Sequence, residues 1–113
     1  SPKRPWKLTG RSNEQTLHTA AWLEENERPF WLRYVLVPGY SDFEDDIRAL
    51  GRQLGNYRMV QKVEILPYHT LGVHKYEAMG QTYQLKGIKE NTPEQTEHAA
   101  GLFKEYFKTV QVN

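Results

Sequence analysis

Apolar and polar positions change period several times along the chain, and each change marks an element. Residues 1–11 are basic and proline-bearing, hold no sustained period and read as irregular. Leu17, Ala20, Ala21 and Glu24 then recur at helical spacing, and Trp22 and Leu23 widen the stripe, which predicts a helix over 13–26. Ser12-Asn13-Glu14-Gln15 ahead of it fits a capping box, a side-chain oxygen followed three residues later by Gln. Pro29 ends the helix, because a proline keeps the residue before it out of helical backbone. Phe30 to Val37 is rich in aromatic and branched residues and apolar on both alternating faces except at Arg33. That is the pattern of a strand covered on both sides, as in a parallel sheet. Ser41-Asp42-Phe43-Glu44 fits a second capping box, with Asp42, Glu44, Asp45 and Asp46 where a helix dipole favours negative charge. Phe43, Ile47, Leu50 and Leu54 share one face of that helix, and Gly55-Asn56 supplies a stop.

Lys62 to Leu66 reads as another short buried strand, ended by Pro67. Residues 68–91 run long without periodicity, and a loop of that length in a compact domain tends to be functional or disordered. Thr92-Pro93-Glu94-Gln95 is a third capping box with Pro at the first helical position, ahead of a stripe of Ala99, Leu102, Phe103, Tyr106 and Phe107. Thr109 to Val112 fits a last short strand. Strands alternating with helices predict an α/β fold of parallel strands joined by right-handed crossovers. Two or three strands are few for a stable sheet, so the chain reads as a piece of a larger parallel sheet or barrel.

Composition narrows the chemistry. The 113 residues contain no cysteine, which excludes a disulfide framework, a thiolate zinc site, a cysteine nucleophile and an iron–sulfur cluster bound by this chain alone. Charge nearly cancels at +1, so neither nucleic acid nor a membrane surface is an expected partner. No apolar run approaches the ~20 residues of a membrane span. No signal-peptide core is present, and the start at Ser1 without Met reads as a processed, truncated or engineered end.

In parallel α/β folds ligands bind at the carboxyl ends of the strands. Here those ends are Val37-Pro38-Gly39-Tyr40 and Leu66-Pro67-Tyr68-His69. His69 is a ligand candidate by position, though position alone favours a partly exposed loop histidine bonded to backbone. Arg33, inside an apolar strand, needs a partner. It either faces an anionic ligand or pairs with Glu64, the one acid of the other strand. Both hold if Glu64 orients Arg33 toward a ligand. His69 and His74 match no zinc spacing, His18 and His98 sit on solvated helix faces, and Asp42 to Asp46 lack a calcium-loop pattern. There is no dinucleotide-binding glycine fingerprint, P-loop or nucleophile elbow.

Two longer motifs carry a resemblance. Trp31-Leu32-Arg33-Tyr34-Val35-Leu36-Val37-Pro38-Gly39-Tyr40-Ser41-Asp42 resembles the W-I-R-Y-V-x-V-P-G-(W/Y)-(S/T)-D segment of the pyruvate formate-lyase activating enzymes. Val63-Glu64-Ile65-Leu66-Pro67-Tyr68-His69-Thr70-Leu71-Gly72-Val73-His74-Lys75-Tyr76 is similar to that family's I-E-L-L-P-Y-H-x-L-G-x-H-K-(W/Y). Ala78-Met79-Gly80, Tyr83 to Gly87 and Thr9 to Asn13 extend the match over almost the whole chain, in order.

The resemblance implies a radical S-adenosylmethionine oxidoreductase on a partial (β/α)6, TIM-like barrel. Residues 1–113 would form a single segment, the carboxyl-terminal βα units, without the cluster-binding half. In the family a [4Fe–4S] cluster binds S-adenosyl-L-methionine and an electron from a donor such as flavodoxin cleaves it. The resulting 5′-deoxyadenosyl radical takes hydrogen from a glycine of pyruvate formate-lyase in anaerobic, cytoplasmic metabolism.

Residue by residue, the match assigns His69 to a cofactor contact, Arg33 and Val35 to the strand lining the same pocket, and Leu66 to the adenine. Spacing agrees, since Arg33 and Val35 are two apart and share a strand face. The 70–84 segment would gate the site or meet the protein substrate. The family's C-x-x-x-C-x-x-C motif and its glycine-rich and acidic segments are absent, so the chain alone is expected to be inactive. An open parallel edge is expected to drive self-association. Two rivals remain: a cluster-free binding module for a glycyl-radical enzyme, and an unrelated small α/β protein whose Arg33–Glu64 pair and His69 are structural.

Overall fold

The structure is a computed structural model that describes residues 4–68 and 88–113. The element order is β1 (Trp6–Thr9), α1 (Glu14–Glu25), β2 (Phe30–Leu36), α2 (Glu44–Leu54), β3 (Val60–Pro67), α3 (Pro93–Lys104) and β4 (Val110–Val112). The strands form one sheet in the order β1-β2-β3-β4, every neighbouring pair parallel. Each strand lies beside the one before it, with no reversal of order. That progression is how the wall of a barrel is built, whereas a doubly wound sheet reverses at a switch point.

The first strand corrects the expectation of an irregular residue 1–11 segment. β1 pairs Trp6 with Phe30 and Thr9 with Arg33, so its extended form comes from the neighbouring strand rather than from its own basic sequence. β4 was legible, and it pairs Val63 with Val110 and Ile65 with Val112.

Among the described residues the helices cover one face of the sheet. Phe30, Leu32, Tyr34, Leu36, Val63 and Ile65 are fully buried against Leu23, Ile47, Leu50, Leu54 and Phe103 of the helices. The Tyr34 and Phe103 rings meet edge-on at 5.0 Å, a favoured geometry for aromatic pairs. α3 begins as its sequence predicts: the Thr92 side chain accepts from the Gln95 N–H, and the Gln95 side chain accepts from the Thr92 N–H. α1 is capped one residue later than the pattern suggested, because the Asn13 side-chain Oδ1 accepts from the Thr16 N–H at 2.8 Å. α2 has no side-chain cap at all, and Phe43 at its N-cap position is exposed. Ser41 is committed elsewhere. α2 and α3 approach closely at Gly51, where any Cβ would collide with the Tyr106 ring. Arg48 ties them further, donating to Glu44, Glu105 and the Tyr106 hydroxyl.

Among the described residues, no helix is long and apolar enough to cross a membrane. The outer edges of β1 and β4 have no strand beside them among the described residues. Unpaired edge N–H and C=O groups are templates for pairing. The 113-residue chain is therefore expected to associate in solution, and light scattering should give a mass at or above that of a dimer. A monomer persisting at high concentration would contradict this.

Candidate functional site

The register of β2 on β3 builds the candidate site on the face away from the helices. Arg33 lies opposite Glu64 and Val35 opposite Leu66. Side chains alternate along a strand, so Trp31, Arg33, Val35 and Val37 share a face with Lys62, Glu64, Leu66 and Tyr68. Thr9 extends the Arg33–Glu64 row on β1, and Gln111 extends it on β4.

This face is layered. At the amino-terminal end Trp31 lies between cations, with Lys62 Nζ 3.9 Å and Lys7 Nζ 5.5 Å from its ring, a stabilising arrangement for a cation over indole. In the middle the Arg33 Nε sits 3.4 Å from Glu64 Oε1. Both atoms are sealed from solvent, and neither completes a hydrogen bond. The Glu64 side chain is only 9% exposed and that of Arg33 22%. The other carboxylate oxygen, Oε2, accepts from Asn113 Nδ2 at 3.0 Å and lies 3.9 Å from Lys62 Nζ. At the carboxyl-terminal end Val35, Val37, Leu66 and Tyr68 form a separate apolar cluster, joined by Ile88. A charged row thus lies directly beneath an apolar patch.

Ser41 fixes the end of β2 that carries this patch. The chain turns at Gly39, whose φ of 79° lies in the left-handed region that glycine tolerates. It returns so that the buried Ser41 hydroxyl donates to the Val35 carbonyl at 2.6 Å and accepts from the Val37 N–H at 2.7 Å. The Ser41 carbonyl in turn accepts from the Tyr34 hydroxyl. Burial pushes the Tyr34 phenol well above its ordinary pKa, so the hydroxyl stays a donor. On the other side, Asn91 donates to the Leu36 carbonyl at 2.8 Å.

Arg33, Val35 and Leu66 are therefore brought together as the sequence suggested, and the Arg33–Glu64 pair is formed. His69 and the 70–84 segment, with His74, lie outside the described residues. His18 and His98 are exposed, as expected. Sequence reasoning missed Ser41 in its bridging role, Asn91, and Asn113 as the holder of Glu64. Ser41 and Asn91 each stand in or beside a helix-capping pattern, which concealed them. Asn113 follows the last strand by one residue, and only its register shows its neighbour. Two clefts lie elsewhere. One, of about 590 Å³, opens at the amino-terminal ends of β3 and β4 near Arg58 and Lys108. The other, of about 490 Å³, lies between α3 and β4 near Asn91 and Val112. Neither is lined by Arg33, Val35 or Leu66.

No protein-family model matches the chain. Curated proteins do. The chain is 44% identical over 102 residues to the pyruvate formate-lyase 1-activating enzyme of Escherichia coli K12, a match that takes in 88% of this chain and 40% of that protein. It is 46% identical over 83 residues to the pyruvate formate-lyase-activating enzyme of Staphylococcus aureus USA300, covering 74% of this chain and 33% of that one. The chain is homologous to the pyruvate formate-lyase activating enzymes. It spans about two fifths of the length of the first relative and a third of the second. A domain of a pyruvate-formate lyase-activating enzyme from Bacteroides vulgatus shares the fold, with a TM-score of 0.68 over 89% of this chain and 53% of that one, at 18% identity. Four parallel strands in serial order with three helices on one face are consistent with part of a TIM-like barrel.

Replacing Ser41 with Ala should leave the buried Val37 N–H without its acceptor. The expected loss of stability is about 1–3 kcal/mol by chemical denaturation. An unchanged midpoint would show that water or the backbone replaces the hydroxyl.

Proposed function

We propose that this chain forms the carboxyl-terminal part of the barrel wall of a radical S-adenosylmethionine activase, and that its helix-free face holds the S-adenosylmethionine. The activity proposed for the whole enzyme is removal of hydrogen from a glycine of pyruvate formate-lyase. One observation carries the reading. Arg33, Val35 and Leu66, which the family motif assigns to the cofactor, lie on one face of two adjacent strands, and the helices occupy the other.

The residues present fit S-adenosylmethionine. The ligand joins a carboxylate and an ammonium to an apolar, aromatic adenine. Arg33 is a partly exposed cation whose guanidinium makes no hydrogen bond within the described residues, and a guanidinium suits a carboxylate in geometry and charge. Val35 and Leu66 offer apolar surface one register step above it. His69, one residue past Tyr68, is assigned by the motif to the same ligand. The residues do not fit the iron–sulfur cluster. The 113 residues contain no cysteine, and the described residues hold no cluster of three or more metal-binding side chains. The thiolates are therefore assigned to sequence beyond these residues, and the chain by itself is assigned no catalysis.

S-adenosylmethionine, when bound, would supply the hydrogen-abstracting chemistry. The part played by this chain is to bind and orient. Arg33 holds the carboxylate end, Val35 and Leu66 exclude water from the adenine, and Ser41 fixes the end of β2 on which that surface stands. Pyruvate formate-lyase would approach over the carboxyl ends of the strands. A donor such as flavodoxin would supply the electron, in the cytoplasm.

The test is reconstitution. This chain is mixed with a cysteine-bearing amino-terminal segment of a homologous activase, loaded anaerobically with iron and sulfide, and reduced. 5′-Deoxyadenosine is expected from the mixture and from neither part alone, with a large loss on Arg33→Ala or His69→Ala. A mixture that carries an intact cluster yet forms no 5′-deoxyadenosine would overturn the proposal. If the chain binds a glycyl-radical enzyme under those conditions without turnover, it is a binding module instead.

A further inference from the structure

The Arg33–Glu64 contact is a poor ion pair by itself. The charges are close, but their facing atoms are buried without a completed hydrogen bond. Burying two charges costs desolvation that only good geometry offsets, and an apolar pair of similar volume is often as stable. Adjacent apolar residues on the same face, Val35 and Leu66, show that this sheet accepts such a pair one step along. Stability is thus a weak reason for these two charges at this position.

The contacts are instead arranged in series across three strands. Asn113, just past β4, donates to Glu64 Oε2 at 3.0 Å. Lys62 stands 3.9 Å from the same oxygen while donating to Gln111 on β4 at 2.9 Å. Glu64 Oε1 is thereby turned to Arg33 Nε on β2. Arginine presents donors along two edges of a rigid planar fork. Here the shortest approach of Glu64 is to the Nε. Among the described residues no hydrogen bond engages Arg33 Nη1 or Nη2. The row also carries excess positive charge, with Lys62 and Arg33 both within 4 Å of the one carboxylate.

We propose that Glu64 is a positioning residue: held by Asn113, it fixes the Arg33 guanidinium from its Nε side so that the Nη edge is presented to the carboxylate of S-adenosylmethionine. This rests on the reading of the Arg33 face as the cofactor wall. A pre-oriented fork binds more tightly because its rotamers are ordered before the ligand arrives. Glu64 never touches the ligand, and its effect passes wholly through Arg33.

The experiment is a double-mutant cycle in the reconstituted, unreduced enzyme, with S-adenosylmethionine binding read by calorimetry and unfolding followed in parallel. Arg33→Lys, Glu64→Gln and the double variant are compared, with Asn113→Ala as the second route to the same contact. Glu64→Gln should weaken binding about tenfold, the effect of losing one charge-assisted contact. The double variant should bind no more weakly than Arg33→Lys alone, because coupled residues are not additive. Asn113→Ala should weaken binding in the same direction, by less, with the melting temperature little changed. Fully additive losses, or binding that falls only in step with the melting temperature, would overturn the positioning role. If Arg33→Lys weakens binding but neither Glu64→Gln nor Asn113→Ala does, the positioning role fails and the cofactor wall stands. If Arg33→Lys itself leaves binding unchanged, the cofactor wall fails and the positioning role falls with it.

Discussion

The register between β2 and β3 decides what each face of this sheet can do. Side chains alternate with a period of two, so a one-residue slip of β3 along β2 would send Glu64 in among the helices and bring Val63 and Ile65 out. The helix side prevents that slip. Val63 and Ile65 are fully buried there, and both would lose their burial in the alternative pairing. Burying a large apolar side chain is worth about 1.5–3 kcal/mol, so the correct register wins by a wide margin. The polar row on the other face is a consequence: it is aligned by hydrophobic packing it does not share.

Serial strand order supplies the second half of the logic. Among the described residues the crossover helices lie on one side of the sheet, and the opposite face carries side chains without a helix over them. In a closed barrel such a face is interior. Here it carries a cation–indole layer, a charged row and an apolar patch in succession toward the carboxyl ends of the strands. A ligand with a charged end and an apolar end matches that gradient in one orientation only.

Much of this was legible beforehand, for local reasons. Thr92 and Gln95 form a capping box from four consecutive residues, and β2 and β3 announce themselves by branched and aromatic runs. What escaped was non-local. β1 is basic, short and adjacent to Pro5, and it is a strand because Phe30 to Arg33 lie alongside it. Ser41 sits where a cap would be expected, yet its hydroxyl has a better use bridging Val35 and Val37 inside the protein. A tertiary hydrogen bond outweighed a local preference. Asn13 displaced Ser12 as the cap by a single residue, the ordinary uncertainty of helix ends. The Arg33–Glu64 pair could be guessed, because Arg33 was the one charged residue of its strand and Glu64 the one acid of the other. Asn113 could not, because nothing in its own neighbourhood points across to β3.

The most direct measurement is methyl NMR of the reconstituted enzyme on addition of S-adenosylmethionine. The two faces of the sheet carry distinguishable methyl groups on the same strands. Val35, Val37 and Leu66 should shift, while Leu32, Leu36, Val63 and Ile65, behind the sheet, should hold their positions. Shifts concentrated among the helix-side methyls, or none at Val35 and Leu66 when the ligand is bound, would contradict a cofactor wall on the helix-free face.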